Sequence, residues 1–345
     1  MVNLFFFSEI NIRGNHAGTK ARNDAEHILE EFGAIPINSR RYELRSDEND
    51  RIISNIHNRL DYLSYYYDLL KIRNKSIVIQ YPMLSFDAAE DYVRRLSKKN
   101  RVFFLVHDVH SLRNGNVEGV KKEIALLNMA YGVIVHNHFM KEKLIESGLK
   151  TKSVFLLSCF DYLHEGTLLD RRGEEGIAFA GNLEKSEFLQ ELCIQNPDVS
   201  FHLYGPGGER TAEYASNACY YGSYPPDVIP EKLKGRFGLV WDGDTIKTCK
   251  GLLGEYTRIN NPHKLSLYIA AGIPVVVWKE AAISEFVEQK GIGISVSNLM
   301  NLNEQLRAVG EEEYRGMRSN VLREREAVIH GDYLTEVLER IREIT

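Results

Sequence analysis

The chain has 345 residues, which is too long for one ordinary hydrophobic core and about right for two domains. Its 43% hydrophobic and 26% charged residues are typical of a soluble globular protein, and no apolar run approaches the roughly 20 residues of a transmembrane helix. The net charge of −5 is uneven, with +4 on residues 1–160 and −9 on the remainder. We expect no nucleic-acid partner.

The four cysteines lie at least 26 residues apart and form no Cys-x-x-Cys pair. This spacing indicates neither a zinc knuckle nor a redox motif, so we expect reduced structural thiols. The apolar residues at 4–7 are too few for a signal peptide. Together these features favour a cytoplasmic protein.

The first half of the chain alternates short apolar segments with amphipathic ones. The apolar segments predict strands at 4–7, 76–80, 101–106, 132–136 and 153–157. The amphipathic segments predict helices at 17–32, 51–72, 87–99, 117–130 and 138–147. Because strands and helices alternate, we expect a parallel, doubly wound sheet in a domain spanning 1–160.

A polar stretch at 160–176 predicts a linker between this domain and a second one spanning 175–330. The second half again alternates, with predicted strands at 177–180, 200–204, 238–241, 275–278 and 293–296. We expect a second parallel sheet with its own helices. The charged C-terminal helix at about 330–345 is able to pack back on the first domain.

Ligands of open parallel sheets bind beyond the carboxyl ends of the strands, so residues that follow strands are candidate site residues. After the first strand, Gly14 and Gly18 permit a tight loop that opens a helix near Ala17, with Thr19 beside them. Such a loop can approach a phosphate or a sugar closely. It lacks the Gly-x-Gly-x-x-Gly spacing of dinucleotide-binding proteins, and an ordinary strand–helix turn is the alternative.

Asp108 emerges at the end of the strand at 101–106 and faces the expected cleft. A carboxylate in this position can act as a general base, and capping of the following turn is the alternative role. A metal site formed by Asp108 with His107 and His110 lacks a distant third ligand.

In the second half, Asn182 and Lys185 follow the strand at 177–180 and can meet an anion. Tyr204 and Gly205 begin a turn-rich loop whose backbone groups can bind the edge of a nucleotide base. Asp242 follows the strand at 238–241.

Asp242 and Asp244 form an Asp-x-Asp motif, which in metal-dependent glycosyltransferases holds a divalent ion on a diphosphate. Tripeptides of this kind are also common by chance. The two-sheet organisation and the basic helix start at Lys264 favour charge neutralisation without a metal.

The segment 260–278 reads Asn-Asn-Pro-His-Lys followed by a mostly apolar run. Asn261 is predicted to cap a helix and Pro262 to occupy its first position, which leaves His263 and Lys264 in the first turn. A lysine is repelled by the positive end of the helix dipole. The charge is explained if an anion binds in front of the helix, where free N–H groups, the imidazole and the ammonium all point at it. An exposed lysine that bends into water is the alternative.

Four motifs of the second half resemble those of bacterial glycosyltransferases with two Rossmann-like domains, the GT-B fold. They are Phe-Ala-Gly-Asn-Leu at 179–183, Phe-Gly-Leu-Val-Trp-Asp-Gly-Asp at 237–244, Gly-Glu-Tyr at 254–256, and the segment 260–278. The chain is most similar to β-1,6-galactofuranosyltransferases of surface-polysaccharide assembly and to streptococcal-type adhesin glucosyltransferases. In the first half the resemblance is looser and rests on 17–25 and 106–109.

The resemblance implies an α/β GT-B protein whose two parallel-sheet domains face each other across a cleft. The C-terminal domain of that family holds a nucleotide diphosphate, usually UDP. Carried over to this chain, Lys264 contacts a phosphate, and Lys185 with Asn182 contacts the diphosphate or ribose. Tyr224 lies near the nucleotide, and the first domain holds the acceptor sugar.

The family's products imply inversion at the anomeric carbon, which needs a base on the acceptor hydroxyl and positive charge on the leaving diphosphate. Asp108 is the preferred base, with Glu9 and His16 as rivals. Lys264 and Lys185 supply the positive charge, and no metal or other cofactor is required.

The expected partners are a UDP-sugar donor and a glycan acceptor, either lipid-pyrophosphate-linked or on a glycoprotein. If the acceptor is lipid-linked, the basic run at 94–101 is expected to contact the inner face of the membrane peripherally. The alternative is that the run is simply a solvated helix end. A homo-oligomer is compatible with the sequence.

Two other functions stay open: a catalytically silent glycosyltransferase-like subunit and a UDP-sugar epimerase on the same fold.

Overall fold

The computed structural model describes residues 4–8, 17–37, 71–83, 89–171, 173–209 and 214–344. Within these residues, two separate six-stranded sheets form, and helices cover them. The predicted helix at 51–72 falls almost wholly outside the described residues. Over the described ranges, no helix combines the length and the apolar character needed to cross a bilayer.

The first sheet comes from the first half of the chain. Its strands are β1 (Leu4–Phe7), β2 (Ile35–Ile37), β3 (Ser76–Tyr81), β4 (Arg101–Val106), β5 (Gly132–Val135) and β6 (Ser153–Leu156). They are parallel and lie in the order β2-β1-β3-β4-β5-β6. The order reverses between β1 and β3, which is where open sheets of this type bind ligands.

Helices connect these strands and cover the sheet. They are α1 (Ala17–Glu31), α2 (Ala89–Ser97), α3 (His110–Arg113), α4 (Val117–Leu127) and α5 (His138–Glu146). Asn116 caps α4 by accepting from the backbone N–H of Gly119, and Asn137 caps α5 by accepting from that of Met140. These side-chain caps explain why the two helices begin at Val117 and His138.

The second sheet repeats this organisation. Its strands are β7 (Ile177–Ala180), β8 (Phe201–Tyr204), β9 (Ala218–Tyr220), β10 (Phe237–Val240), β11 (Val275–Trp278) and β12 (Gly293–Val296). All its pairs are parallel, in the order β12-β11-β10-β7-β8-β9. The order reverses between β7 and β10, so their carboxyl ends are neighbours although about 57 residues separate them.

The helices of the second half are α6 (Phe188–Gln195), α7 (Leu252–Tyr256), α8 (His263–Ala270), α9 (Ala282–Lys290), α10 (Leu302–Ala308), α11 (Glu311–His330) and α12 (Asp332–Glu343). The strands β7, β10 and β11 are buried along their whole length. This explains their unbroken apolar sequences, because helices cover both faces of the sheet.

The two C-terminal helices pack on different sheets. α11 contributes Val321 and Val328 to the core of the second sheet. After a left-handed residue at Gly331, α12 inserts Leu334 and Leu338 into a cluster with Leu4 and Phe6 of β1. The chain therefore ends on the sheet with which it began.

The parallel α/β architecture predicted from the sequence is confirmed, and most strand boundaries agree within one residue. Two short strands were not predicted. β2 has only three residues, Ile-Pro-Ile, and β9 has only Ala-Cys-Tyr. Both lie at sheet edges and are largely exposed or half-buried, so neither has the apolar run by which the inner strands are recognised.

Candidate active site

A cavity of about 520 Å³ lies beside the carboxyl ends of three strands of the second sheet. Its walls come from the residues after β7, β8 and β10, from the start of α8, and from two residues that precede β7, Arg113 and Tyr162. These include Asn182, Lys185, Tyr204, Gly205, Tyr224, Asp242, His263, Lys264 and Arg113. All of these except Arg113 were predicted for the nucleotide-sugar site, and Asn261 is the one residue predicted for that site that does not line the cavity.

The cavity lies where the strand order of the second sheet reverses. Asn182 follows β7 and Asp242 follows β10, and these two strands are hydrogen-bonded neighbours. The loops after them leave in different directions, which opens a crevice at the sheet edge. The topology thus explains why the cavity forms at this point.

Helix α8 is fixed over this crevice by Tyr268. The Tyr268 hydroxyl accepts a hydrogen bond from the backbone N–H of Ala180, at 2.9 Å, at the end of β7. The ring lies against Gly238 of β10, where a Cβ atom would come within 2.4 Å of it. A glycine on β10 therefore lets α8 approach the sheet closely and aims its first turn at the cavity.

Lys264, in the first turn of α8, points into the cavity. Its ammonium donates a hydrogen bond to Asp242 Oδ1 and lies 4.9 Å from the centre of the Phe179 ring. Its side chain is 17% exposed. The aromatic ring and the carboxylate offset the repulsion by the helix dipole. The lysine therefore does not bend away into water, which was the alternative.

Asn261 does not cap the helix, and that prediction was wrong. The residue before the first helical turn is Pro262, and no side chain caps α8. The Asn261 amide instead donates to the backbone oxygens of His136 and Ser158, at 3.1 and 2.8 Å, while its Oδ1 accepts from Asn137. It is buried in the contact between the two halves of the chain, and it is absent from the cavity wall.

His263 lines the cavity, as expected for an imidazole at the start of this helix. Its Nε2 lies 3.3 Å from the backbone oxygen of Asp161, and its ring stacks on Tyr162 with centroids 5.1 Å apart. Burial lowers the pKa of His263 to about 4. It is therefore neutral at pH 7 and offers shape and hydrogen bonding rather than charge.

Asn182 and Lys185 border the cavity at the turn after β7. Asn182 caps the single 3₁₀ turn Leu183–Lys185, because its side chain accepts from the Lys185 backbone N–H at 3.2 Å. Lys185 is exposed, and it contributes a second cation to the cavity wall. Contact of either residue with a donor stays a prediction.

Tyr204 and Tyr224 form an aromatic side of the cavity. Tyr204 stacks on Tyr221, with ring centroids 5.2 Å apart, and its hydroxyl accepts from the Lys234 backbone N–H at 2.9 Å. Its hydroxyl is thus occupied within the protein. Tyr224 is half-buried at the cavity, with its ring centroid 6.5 Å from that of Tyr204.

Gly205 permits the close approach of two loops at the cavity. It adopts a φ of +125°, which non-glycine residues rarely adopt. A Cβ atom at Gly205 would lie 1.9 Å from the backbone oxygen of Gly181. The loops after β7 and β8 therefore touch backbone to backbone, which keeps the cavity floor free of side chains there.

Asp108 lies on the side of the first half, directly after β4. Its Oδ2 accepts a hydrogen bond from Arg113 of α3, and His110 Nε2 lies 3.5 Å from the same oxygen. The hydroxyl of Tyr256 accepts from the Val109 backbone N–H, at 2.9 Å. Burial, and next the nearby Asp108 charge, raise the pKa of Tyr256, so its hydroxyl stays protonated.

The rival bases Glu9 and His16, and the predicted acceptor residue Gly14, lie outside the described residues. Helix α1 begins at Ala17, as predicted, so that Gly18 and Thr19 fall in its first turn. Thr19 is 5% exposed. Their roles in acceptor binding stay predictions.

The basic run at 94–101 lies away from this site. Arg95 forms an ion pair with Asp91 at 2.9 Å, and Arg94 pairs with Glu90 on the same exposed helix face. Arg101 begins β4, whereas Asp108 follows the other end of that strand, about 20 Å away. The run therefore lies at the amino-terminal end of β4, opposite the end at which Asp108 lies.

The Asp-x-Asp motif is divided between two environments. Asp242 accepts from Lys264, whereas Asp244 is exposed. Over the ranges that the structure describes, no group of three or more His, Cys, Asp or Glu side chains is placed to hold a metal ion. Whether donor binding needs a divalent ion stays a prediction.

Sequence reasoning missed Arg113, which reaches the cavity wall from the first half. It lies five residues after Asp108, in a helix of only four residues. The residues predicted for the site come from the segments after strands, the start of the helix at 263, and the motifs of the resemblance, and Arg113 belongs to none of these. The feature of the sequence that could have identified it is a basic residue about one helical turn after the candidate base Asp108.

Comparisons with known proteins identify the family of this chain. A family model described as Glucosyltransferase 3-like, N-terminal domain, matches residues 5–158, and the corresponding C-terminal domain model matches 177–341. A relative from Escherichia coli K12, Beta-1,6-galactofuranosyltransferase WbbI, is 30% identical, with 98% of each chain covered. Glucosyltransferase 3 of Streptococcus gordonii is 24% identical, with 89% of each chain covered.

Solved structures share the fold at low sequence identity. A sucrose-phosphate synthase from Thermosynechococcus elongatus superposes with a TM-score of 0.64 at 12% identity, over 99% of this chain and 98% of that one. An α,α-trehalose 6-phosphate synthase from Burkholderia multivorans superposes with a TM-score of 0.57 at 12% identity, over 100% and 97%. These likenesses confirm the predicted GT-B fold. The chain belongs to the Glucosyltransferase 3-like family and is a glycosyltransferase.

Proposed function

We propose that this glycosyltransferase moves a hexose of the galactofuranose or glucose type from a UDP-sugar to a sugar acceptor, with inversion. The names of the two relatives support both sugar types. The Escherichia coli relative is named for a β-linked product. An α-linked sugar nucleotide that yields a β-glycoside reacts with inversion, which supports a single displacement.

The observation that carries the proposal is the placement of Lys264 and Lys185 on one cavity, beside the start of α8. A diphosphate in this cavity would meet two ammonium groups and the positive end of a helix dipole. Positive charge positioned at the leaving diphosphate stabilises the transition state and so lowers the barrier to displacement. The aromatic wall at Tyr204 and Tyr224 suits the uracil ring.

In the proposed reaction, the Asp108 carboxylate accepts the proton of the acceptor hydroxyl. The acceptor oxygen forms a bond to the anomeric carbon, and the bond from that carbon to the β-phosphate oxygen breaks. UDP leaves with the electron pair of that bond, and Lys264 and Lys185 stabilise its added charge. The proton ends on Asp108, and the sugar ends on the acceptor.

We propose that the donor binds without a divalent ion. Lys264 already neutralises Asp242, which makes this carboxylate a poorer ligand for a cation. The two lysines supply positive charge at the place where a metal would otherwise supply it. Mg²⁺ is therefore not needed to offset the charge of the diphosphate.

We propose that the acceptor is a sugar of a surface glycan or glycoprotein under assembly, on a lipid pyrophosphate or on a protein. Peripheral contact of the run at 94–101 with a membrane fits a lipid-linked acceptor. Because the run and Asp108 lie at opposite ends of β4, such contact would leave the site about 20 Å above the membrane.

Product analysis tests the proposal. The purified chain is incubated with UDP-glucose or UDP-galactofuranose and short glycoside acceptors, with EDTA present, and products are examined by mass spectrometry and NMR. We expect a new β-glycosidic bond and free UDP from one donor. An α-linked product would contradict inversion. A converted UDP-sugar without transfer would instead identify an epimerase, and no reaction with any donor would favour a silent subunit.

A further inference from the structure

Arg113 belongs to the first half of the chain, yet it lines the cavity at which the second half holds its lysines. Its guanidinium forms an ion pair with Asp108, the proposed base. Leu253, on the facing helix α7, lines the cavity with it. Arg113 is thus shared between the proposed base and the proposed donor pocket.

We propose that Arg113 binds the diphosphate of the donor and leaves Asp108 when it does so. The inference rests on the UDP-sugar function proposed above. It gives Arg113 two alternative anionic partners, the Asp108 carboxylate that it contacts in the structure and a diphosphate. Donor binding then releases the carboxylate oxygen that must receive the acceptor proton.

The charges around the cavity favour this exchange. In the structure, Lys264 pairs with Asp242 and Arg113 pairs with Asp108. A diphosphate brings more negative charge than one carboxylate, and its oxygens match the planar fork of a guanidinium. Arg113 therefore gains a stronger partner when the donor enters.

The side chain of Arg113 is also placed to move. It is 36% exposed, so its reorientation requires little desolvation. Its backbone N–H donates to the Val109 backbone oxygen at 3.0 Å, which anchors the short helix α3 while the side chain turns. Asp108 is 17% exposed, and His110 Nε2 lies 3.5 Å from its Oδ2 without a hydrogen bond to it.

One consequence is an order of binding. While the Arg113 guanidinium donates to Oδ2 of Asp108, the acceptor hydroxyl has to compete with it for that oxygen. Once the diphosphate holds the guanidinium, this competitor leaves Oδ2. The donor should therefore bind before the acceptor becomes reactive.

The test is calorimetric titration of UDP and of uridine into wild type, Arg113→Ala and Arg94→Ala. Arg94 is a matched control, because it also pairs with a carboxylate but lies on an exposed helix face remote from the cavity. We expect Arg113→Ala to bind UDP about tenfold or more weakly and to bind uridine as wild type does. Arg94→Ala should match wild type with both ligands.

The comparison of UDP with uridine distinguishes loss of a phosphate contact from a general deformation of the pocket. Equal losses for UDP and uridine in Arg113→Ala would overturn the inference, since a deformed pocket weakens both. An unchanged UDP affinity in Arg113→Ala would overturn it as well. If wild type itself binds no UDP, the proposed function fails and this inference fails with it, a result distinct from the other two.

A second variant tests the exchange of partners. In Asp108→Asn the guanidinium loses its anionic competitor, so UDP should bind at least as tightly as in wild type. In the double variant Asp108→Asn/Arg113→Ala, UDP affinity should fall to the level of Arg113→Ala. A several-fold loss of UDP affinity in Asp108→Asn alone would contradict the exchange.

Discussion

Lys264 and Asp242 form an ion pair across the crevice between α8 and the end of β10. The lysine stands at the start of a helix, where the dipole opposes a positive charge, and the aspartate follows a strand that neighbours β7. Neither side chain is fully exposed, at 17% and 29%. The pair keeps the ammonium directed at the cavity before any donor arrives.

Lys264→Ala should weaken UDP binding by about 1.5–3 kcal/mol, the range for a hydrogen bond to a charged group. The loss should appear in calorimetric titration with EDTA present. Lys121→Ala is the control, because Lys121 forms an exposed ion pair with Glu118 on α4. Wild-type affinity in Lys264→Ala would remove this lysine from the donor site.

Asp242→Asn distinguishes an ion-pair partner from a metal ligand. If Asp242 only orients Lys264, UDP binding should survive EDTA, and the variant should lose less than about tenfold in affinity. Titrations with EDTA and with Mg²⁺ would measure both effects. A strong dependence of wild-type binding on Mg²⁺ that disappears in Asp242→Asn would instead show that the carboxylate holds a metal.

Asp108→Asn should abolish sugar transfer and spare UDP binding, because an amide cannot accept the acceptor proton. The expected fall in kcat is about a hundredfold or more. The measurement is release of UDP in the presence of acceptor, with calorimetry as the check on the donor site. Activity within a few-fold of wild type would point to another base.

Gly205→Ala should destabilise the fold. The residue has a φ of +125°, and the added Cβ would lie 1.9 Å from a backbone oxygen. We expect the free energy of unfolding in urea to fall by about 1–3 kcal/mol or more. Gly316→Ala in α11 is the matched control, since nothing lies within 4 Å of its Cβ and alanine favours a helix. Equal stability of the two variants would contradict this account.

The contact between the two halves should weaken in acid. His136 Nε2 donates to the Val106 backbone oxygen, and its Nδ1 accepts from the backbone N–H of Asn261. Burial lowers the pKa of His136 to about 4, below the 6.5 of an ordinary histidine. As pH falls from 6.5 to 4, the unfolded chain binds a proton that the folded chain does not, and the free energy of unfolding falls by about 3 kcal/mol.

His136→Gln tests this dependence, because glutamine offers a donor and an acceptor but does not titrate in this range. Urea unfolding at pH 7, 6, 5 and 4 should show a shallower decline in the variant than in wild type. His263 adds a decline of the same sign, so the difference between the two proteins isolates His136. Parallel declines would show that His136 is not the group responsible.

The sequence alone predicted the two-sheet architecture and eight residues of the cavity wall. Strand and helix periods are local properties, and parallel strands necessarily bring their carboxyl ends to one edge. The order of elements along the chain is therefore enough to place Asn182, Asp242 and Lys264 together. The edge strands β2 and β9 escaped prediction because three residues carry too little pattern.

The tertiary structure decided which partner each of these side chains has. Asn261 has the sequence position of a helix cap, yet it bonds to His136, 125 residues away in the chain. His263 follows it in the helix start, but burial leaves its ring neutral. Arg113 joins the cavity because the two sheets face each other. The periodicity of the sequence determines the helices and strands and the face of each on which a residue lies. Hydrogen-bond partners and pKa values depend instead on groups that only folding brings within a few ångströms.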